Sequence, residues 1–205
     1  MSQYIELHAT HPNMRTINII ADGLRSGALI AYPTDSGYAL GCCVGMRKPL
    51  ERMQIIRRLD SHHNYTLICQ DISEISEYAR VDNPSYRILK RCTPGGYTFI
   101  LPATHDVPKL MLAKRKTVGV RIPDHQIALS IAQALGQPLL STTLIMPGER
   151  DPLVMPEDVS EKVGKQVDMI IDGGYCGYEP TTVVDLTHDV PEILRYGSGD
   201  TGLFE

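Results

Sequence analysis

Residues 28–43 read ALIAYPTDSGYALGCC. An apolar run, Ala28 to Ala31, stops at Tyr32-Pro33-Thr34-Asp35-Ser36-Gly37, a cluster of hydroxyls, one carboxylate and two turn formers. Three other segments combine strand-like runs with unusual chemistry. Arg91-Cys92-Thr93-Pro94-Gly95-Gly96-Tyr97-Thr98 sets two glycines beside a proline, which permits close backbone approach and tight turns. Val118-Gly119-Val120-Arg121-Ile122-Pro123 buries an arginine among β-branched residues, and an unpaired buried guanidinium is costly. Leu139-Leu140-Ser141-Thr142-Thr143 is an apolar run ending in three hydroxyls. Brought together, hydroxyl donors and a guanidinium would hold an anionic small molecule. Each residue also has a plainer role. Tyr32 and Thr34 can cap a strand and a turn, and Arg121 can form a structural salt bridge. Ser141, Thr143 and Thr182 can be ordinary strand residues, and Arg195 a surface ion pair.

Other chemistries find no support. There is no GxxxxGK[ST], and no GxGxxG precedes a helix; Gly197-Ser198-Gly199-Asp200 lies at the far end of the chain. His62 and His63 are adjacent, poor spacing for shared metal ligation, and no HExxH occurs, so no built-in metal is expected. Ser141 has no His-Asp context for a hydrolase triad. The five cysteines (Cys42, Cys43, Cys69, Cys92 and Cys176) lack CxxC spacing and read as reduced, mostly buried thiols. The start of the chain has no signal-like segment, and no window approaches 18 apolar residues, so a cytoplasmic protein off the membrane is expected. The net charge is −4, yet Arg47 to Arg121 carries about +7 and the remainder about −11. That asymmetry suggests either a positive region on an acidic body or charges scattered over solvated faces. Lys114-Arg115-Lys116 could bind RNA or form a solvated turn.

These residues need elements to position them. Helical spacing predicts helices over about 12–26, 48–58, 72–78, 83–91 and 127–135. Strands are predicted over 28–32, 65–69, 97–101, 117–122, 139–145, 169–171, 182–186 and 193–196. The alternation argues for one α/β domain over residues 1–205. Only six residues separate Thr182–Leu186 from Ile193–Tyr196, which makes that pair antiparallel. The expectation is an open, twisted, mixed sheet with flanking helices, its ligand site beyond the strand ends.

Five stretches, in order, resemble the motifs of the YrdC-like family, the threonylcarbamoyl-adenylate synthases. Tyr32 to Gly41 resembles YPTET-x-YGLG, and Pro94 to Thr98 resembles PGP-x-T. Val120 to Pro123 matches V-R-x-P, Pro180 to Leu186 resembles P-S-T-V-V-D, and Arg195 to Asp200 resembles R-x-G-x-G-D. The stretch Asp35 to Cys42 and the closing motif look most like the YciO branch of that family. The resemblance implies the fold shared with dihydroxybutanone-phosphate synthase. That enzyme's own chemistry needs several acidic metal ligands, and only Asp35 is well placed here. The resemblance further implies ATP with Mg²⁺, L-threonine and bicarbonate as reactants, and threonylcarbamoyl-AMP destined for tRNA adenosine. It assigns catalytic roles to Arg57, Ser141 and Thr143. Substrate or nucleotide binding falls to Tyr32, Thr34, Arg58, Thr98, Arg121, Thr182 and Arg195. Two motifs depart from the pattern: the family's K-x-R becomes Arg57-Arg58-Leu59, and its S-x-N becomes Ser141-Thr142-Thr143. Weak or altered synthase activity is therefore expected. The alternative is a protein that binds double-stranded RNA or tRNA without turnover.

Overall fold

The structure, a computed structural model, describes residues 2–60, 63–108 and 116–204. Ten strands and six helices lie in them. The chain opens with β1 (Gln3–Glu6), then α1 (Met14–Arg25), whose first N–H groups are capped by Asn13 Oδ1. Strand β2 (Ile30–Thr34) turns directly into β3 (Gly37–Cys43). Next come α2 (Arg47–Arg57), β4 (Thr66–Ile68), α3 (Ile72–Tyr78), α4 (Asn83–Cys92), β5 (Tyr97–Pro102) and β6 (Thr117–Arg121). The rest is α5 (Gln126–Leu135), β7 (Leu139–Thr143), α6 (Pro156–Val163), β8 (Met169–Asp172), β9 (Thr182–Asp185) and β10 (Glu192–Arg195). The strands form a single mixed sheet in the order β1-β8-β2-β3-β7-β4-β6-β5-β9-β10, with β9 and β10 antiparallel as expected.

The opening motif departs from expectation. The strand does not stop at Tyr32. It continues through Pro33 and Thr34, pairing Tyr32 with Ala39, Pro33 with Tyr38 and Thr34 with Gly37. Only Asp35 and Ser36 form the turn. Thr34 Oγ1 closes it, donating to Gly37 O at 2.7 Å and accepting from Ser36 N at 3.1 Å. Gly37 sits at φ +101°, where a side chain would be strained and would strike Pro152. The polar burst is thus the tip of a buried hairpin. Three elements had no prediction, β1, β3 and α6. Strand β1 and helix α6 bury too few residues to show a period, Ile5 alone in β1 and Pro156, Val159 and Val163 in α6, whereas β3 is buried along its whole length and shows no alternation.

Two cores lie on the two faces. One face packs against α2, α3, α4 and α6 through Met53, Ile75, Leu89 and Val159, meeting Leu40, Phe99, Val120 and Leu140. The other packs against α1 and α5 through Ile17, Ile20, Ile127 and Ile131. Those two helices cover mainly the β8, β2 and β3 side. Over β6, β5 and β9 the alternation leaves residues of the same face half-buried. In β5, Tyr97, Phe99 and Leu101 are buried, while Thr98, Ile100 and Pro102 are not.

One contact shows how strongly the sheet curls. Two strands, β7 and β4, stand between β3 and β6. Three ladder spacings would hold those strands roughly 14 Å apart in a flat sheet, and the register sets Arg121 in the row of Cys43, at the other end of β3 from Asp35. Arg121 at the end of β6 nevertheless donates to Ser36 Oγ at 2.7 Å and pairs with Asp35 at the hairpin tip. The sheet therefore bends over its uncovered face. The second carboxylate oxygen of Asp35 accepts from Asp124 N at 3.3 Å, just before α5.

All five cysteines are buried free thiols, and burial pushes Cys42 and Cys176 up to about 12. Among the described residues no helix is long and apolar enough to cross a membrane.

Two outcomes follow for stability. Removing the Asp35 carboxylate leaves a buried guanidinium without its counter-charge, a change that costs about 3–5 kcal/mol. Asp35→Ala should lose that amount in urea unfolding, and a loss under about 1 kcal/mol would show the pair to be incidental. Glu74 is buried on α3, and its carboxyl is pushed up to about 7, first by burial and then by Asp71 and Glu77; the N–H of Gln70 opposes the shift. Its folded value lies above the unfolded one. The native state therefore binds the extra proton between about pH 4.5 and pH 7, and stability falls as pH rises through that window. Glu74→Gln should melt higher than the native chain at pH 8 and lose that advantage at pH 4.5.

Candidate active site

The uncovered face is the floor of a cavity of about 1110 Å³. Strand register builds it. Gly41, Ser141, Thr66, Gly119, Ile100 and Asp185 stand opposite one another in one row across β3, β7, β4, β6, β5 and β9. All of these but Gly41 line the cavity. Neighbouring rows add Thr143, Ile68, Arg121, Thr98 and Val183. The hairpin contributes Thr34 and Ala39, the end of α2 contributes Arg57, and β10 contributes Arg195.

Seven of the ten site residues picked from the sequence share this cavity: Thr34, Arg57, Thr98, Arg121, Ser141, Thr143 and Arg195. Three do not line it. Tyr32 is fully buried behind the wall, its hydroxyl 2.7 Å from Ser141 Oγ, which donates to Leu40 O. Burial pushes the Tyr32 phenol up, so it stays neutral. Arg58 takes the left-handed conformation that ends α2, at φ 50°. It lines a smaller hollow of about 580 Å³ with Arg57 and residues 145–150. Thr182 is fully buried and points away, its hydroxyl donating to Gly199 O at 2.8 Å. Its neighbour Thr181 faces the cavity instead.

The cationic groups differ in how they are satisfied. Arg121 is neutralised by Asp35, although its Nε is buried without a partner. Arg195 rests on neutral oxygens: Nε donates to Thr181 O at 3.0 Å and a terminal nitrogen to Thr181 Oγ1 at 2.9 Å. Thr181 Oγ1 lies 2.9 Å from Thr98 Oγ1. Among the described residues no carboxylate pairs with Arg195 or with Arg57, and Arg57 Nε is buried without a hydrogen bond. Burial weakens proton binding at both guanidiniums, and Arg121 adds to this at Arg195. Lys116 brings a further cation to the wall. An anion entering here would gain charge-assisted bonds and relieve uncompensated positive charge.

Several lining residues were not picked from the sequence. His63 Nε2 lies 2.9 Å from Thr142 Oγ1, and burial, then Arg57, lowers the imidazole below its usual range against the pull of Asp60. Thr117 and Gly119 follow from Arg121 by simple alternation and were open to prediction. Thr181 and Asp185 required the phase of β9, which its sequence does not mark. Lys116 is described, whereas Lys114, Arg115 and His62 lie outside the described residues.

Comparison with known proteins bears on this geometry. A family model described as Telomere recombination, for Sua5, YciO and YrdC, matches residues 22–197. YciO of Escherichia coli K12 is 48% identical over 205 residues, 100% of both chains. The crystal structure of E. coli YciO superposes with a TM-score of 0.96 over the full length of both. A threonylcarbamoyl-AMP synthase of Vibrio vulnificus YJ016 is 29% identical over 182 residues, 87% of this chain and 96% of that one. The structure of P. abyssi Sua5 complexed with L-threonine has a TM-score of 0.88 at 26% identity, over 96% of this chain and 58% of that one. With the motif residues gathered around one cavity and the family model spanning most of its length, the chain belongs to the Sua5/YciO/YrdC family.

Proposed function

We propose that the cavity binds ATP, L-threonine and bicarbonate, and that the chain is a threonylcarbamoyl-AMP synthase of weak or altered turnover. The observation that carries the reading is two guanidiniums, Arg57 and Arg195, without carboxylate partners among the described residues, facing one cavity with the hydroxyls of Thr34, Ser141 and Thr143. In this reading the amine of threonine and bicarbonate give a carbamate with loss of water. Its oxygen attacks the α-phosphate of ATP, and pyrophosphate leaves. Such a displacement asks for positioning and charge neutralisation, which arginines and hydroxyls provide. A cytoplasmic setting would supply ATP.

Magnesium fits this donor set in one way. Among the described residues Asp185 is the one carboxylate lining the cavity, and no cluster of three metal-ligating side chains occurs. Mg²⁺ commonly binds through one or two carboxylates plus substrate phosphates. Here the nucleotide's own oxygens would hold most of the ion, and bound Mg²⁺ would neutralise phosphate charge.

The departures from the family motifs set the expected rate. Arg57 keeps the charge of lysine with a different geometry. Thr143 keeps a hydroxyl and lacks the paired donor and acceptor of an amide. Leu59 packs against the core and does not line the cavity. One charge-assisted bond missing from the transition state, roughly 1.5–3 kcal/mol, slows turnover about ten- to a hundredfold. The variant carrying Leu59→Arg and Thr143→Asn should raise ATP-dependent pyrophosphate release about tenfold or more, with Thr143→Asn alone supplying part. A folded double variant no faster than the native chain would refute the reading.

A second reading rests on charge. Arg57, Lys116, Arg121 and Arg195 line one open cavity. In this reading a tRNA or double-stranded RNA partner is met through phosphates and shape, not bases. Affinity for duplex RNA that falls steeply between 50 and about 200 mM salt, without pyrophosphate release, would favour it. Salt-independent or absent binding would remove it.

A further inference from the structure

Two of the motifs contain residues that never reach the cavity. Thr182, Gly197 and Gly199 belong to the stretches 180–186 and 195–200, yet none lines it. They are occupied with one another. Thr182 Oγ1 donates to Gly199 O at 2.8 Å and accepts from Gly197 N at 3.1 Å. Thr182 N donates to Gly96 O, and Ser198 N donates to Pro180 O, both at 2.9 Å. Tyr97 Oη donates to Asp200 O at 3.0 Å, and the Tyr97 ring meets Phe204 edge-on at 6.3 Å.

The glycines are required by close approach. A Cβ on Gly197 would lie 2.2 Å from Pro180 O, which is backbone and cannot swing aside. A Cβ on Gly199 would lie 2.5 Å from the Tyr97 ring, and one on Gly96 would lie 2.2 Å from Ser198 Oγ. Segments 94–98, 180–186 and 195–204 therefore interlock closely, joined through the side chains of Thr182 and Tyr97. What this lock touches on its cavity side is Arg195 and Thr181. Thr181 directly precedes Thr182, the first residue of β9, and the two side chains point to opposite faces. Thr182 is held from beneath, and Thr181 presents the two oxygens on which Arg195 rests.

We propose that Thr182 and the turn Gly197–Asp200 are a positioning device that holds the Arg195 guanidinium in place over the cavity before any ligand arrives. Among the described residues no carboxylate holds Arg195, so its orientation depends on Thr181, and the orientation of Thr181 depends on the lock beneath. The lock thereby keeps the charge of Arg195 pre-oriented toward an anion. This role rests on the nucleotide reading of the cavity only for the identity of the anion.

The test measures Arg195 directly. Its Nε–H, assigned by the resonance lost in Arg195→Lys, is followed by NMR hydrogen exchange, and ATP affinity by calorimetry. The native chain should protect the Nε–H. Thr182→Val keeps the shape and removes the hydroxyl; it should speed exchange about tenfold and weaken ATP binding about tenfold. Thr182→Ser should restore both. A Thr182→Val protein that melts lower with unchanged exchange would reduce the lock to simple packing and overturn the proposal. Should that variant not fold, Tyr97→Phe, which removes the bond to Asp200, must speed the exchange, or the proposal fails. A native chain that binds no ATP refutes the nucleotide reading, and the exchange rates still decide the positioning role.

Discussion

The ion pair between Arg121 and Asp35 is the constraint on which the site depends. It joins the end of β6 to the tip of a hairpin three ladder positions away. With the bonds from Arg121 to Ser36 and from Asp124 N to Asp35, it ties the hairpin across the polar face beyond the cover of α1 and α5. The pair also explains how an arginine survives among valines. Its side chain is only 7% exposed, and its charge is compensated by one carboxylate and one hydroxyl. The same residue is then less available as a ligand-binding charge than its position suggests. The uncompensated positive charge resides in Arg57 and Arg195.

Incomplete coverage of the sheet is the second condition. A face covered by helices must be apolar, and the β8, β2 and β3 side of this face is. Where the helices end, alternation continues but the side chains become threonine, glycine, arginine and aspartate. The cavity is thus the part of a sheet face that no helix covers, closed by curvature. The motif Thr117-Val118-Gly119-Val120-Arg121 shows both demands in five residues: Val118 and Val120 enter the core, while Thr117, Gly119 and Arg121 form the floor.

Among the described residues the basic half of the sequence does not become one positive patch. Arg47 pairs with Glu51 and Arg52 with Asp168. Arg87, Lys90 and Arg91 are exposed on α4, which packs on the opposite face of the sheet through Leu89 and Cys92. Arg57, Lys116 and Arg121 reach the cavity, and Arg195 joins them from the acidic remainder. Charge along the chain and charge in space are related only through the fold.

The sequence by itself determined the class of fold, most of the elements and the chemistry gathered in the site. Those properties are local: period-two runs, caps, turn formers and hydroxyl-rich strand ends are written in consecutive residues. It did not mark β1 or α6, whose few buried residues carry no period, nor β3, whose residues are all buried and do not alternate. It placed Tyr32, Arg58 and Thr182 in the site, and the structure sets them behind the wall, in an adjoining hollow and beneath the floor. Only the tertiary structure decided which of two neighbouring threonines faces the ligand space, since the phase of a strand is set by the strands beside it. It alone decided that Arg121 is paired while Arg57 and Arg195 are not, because a charge's partner is chosen by the curl of the whole sheet.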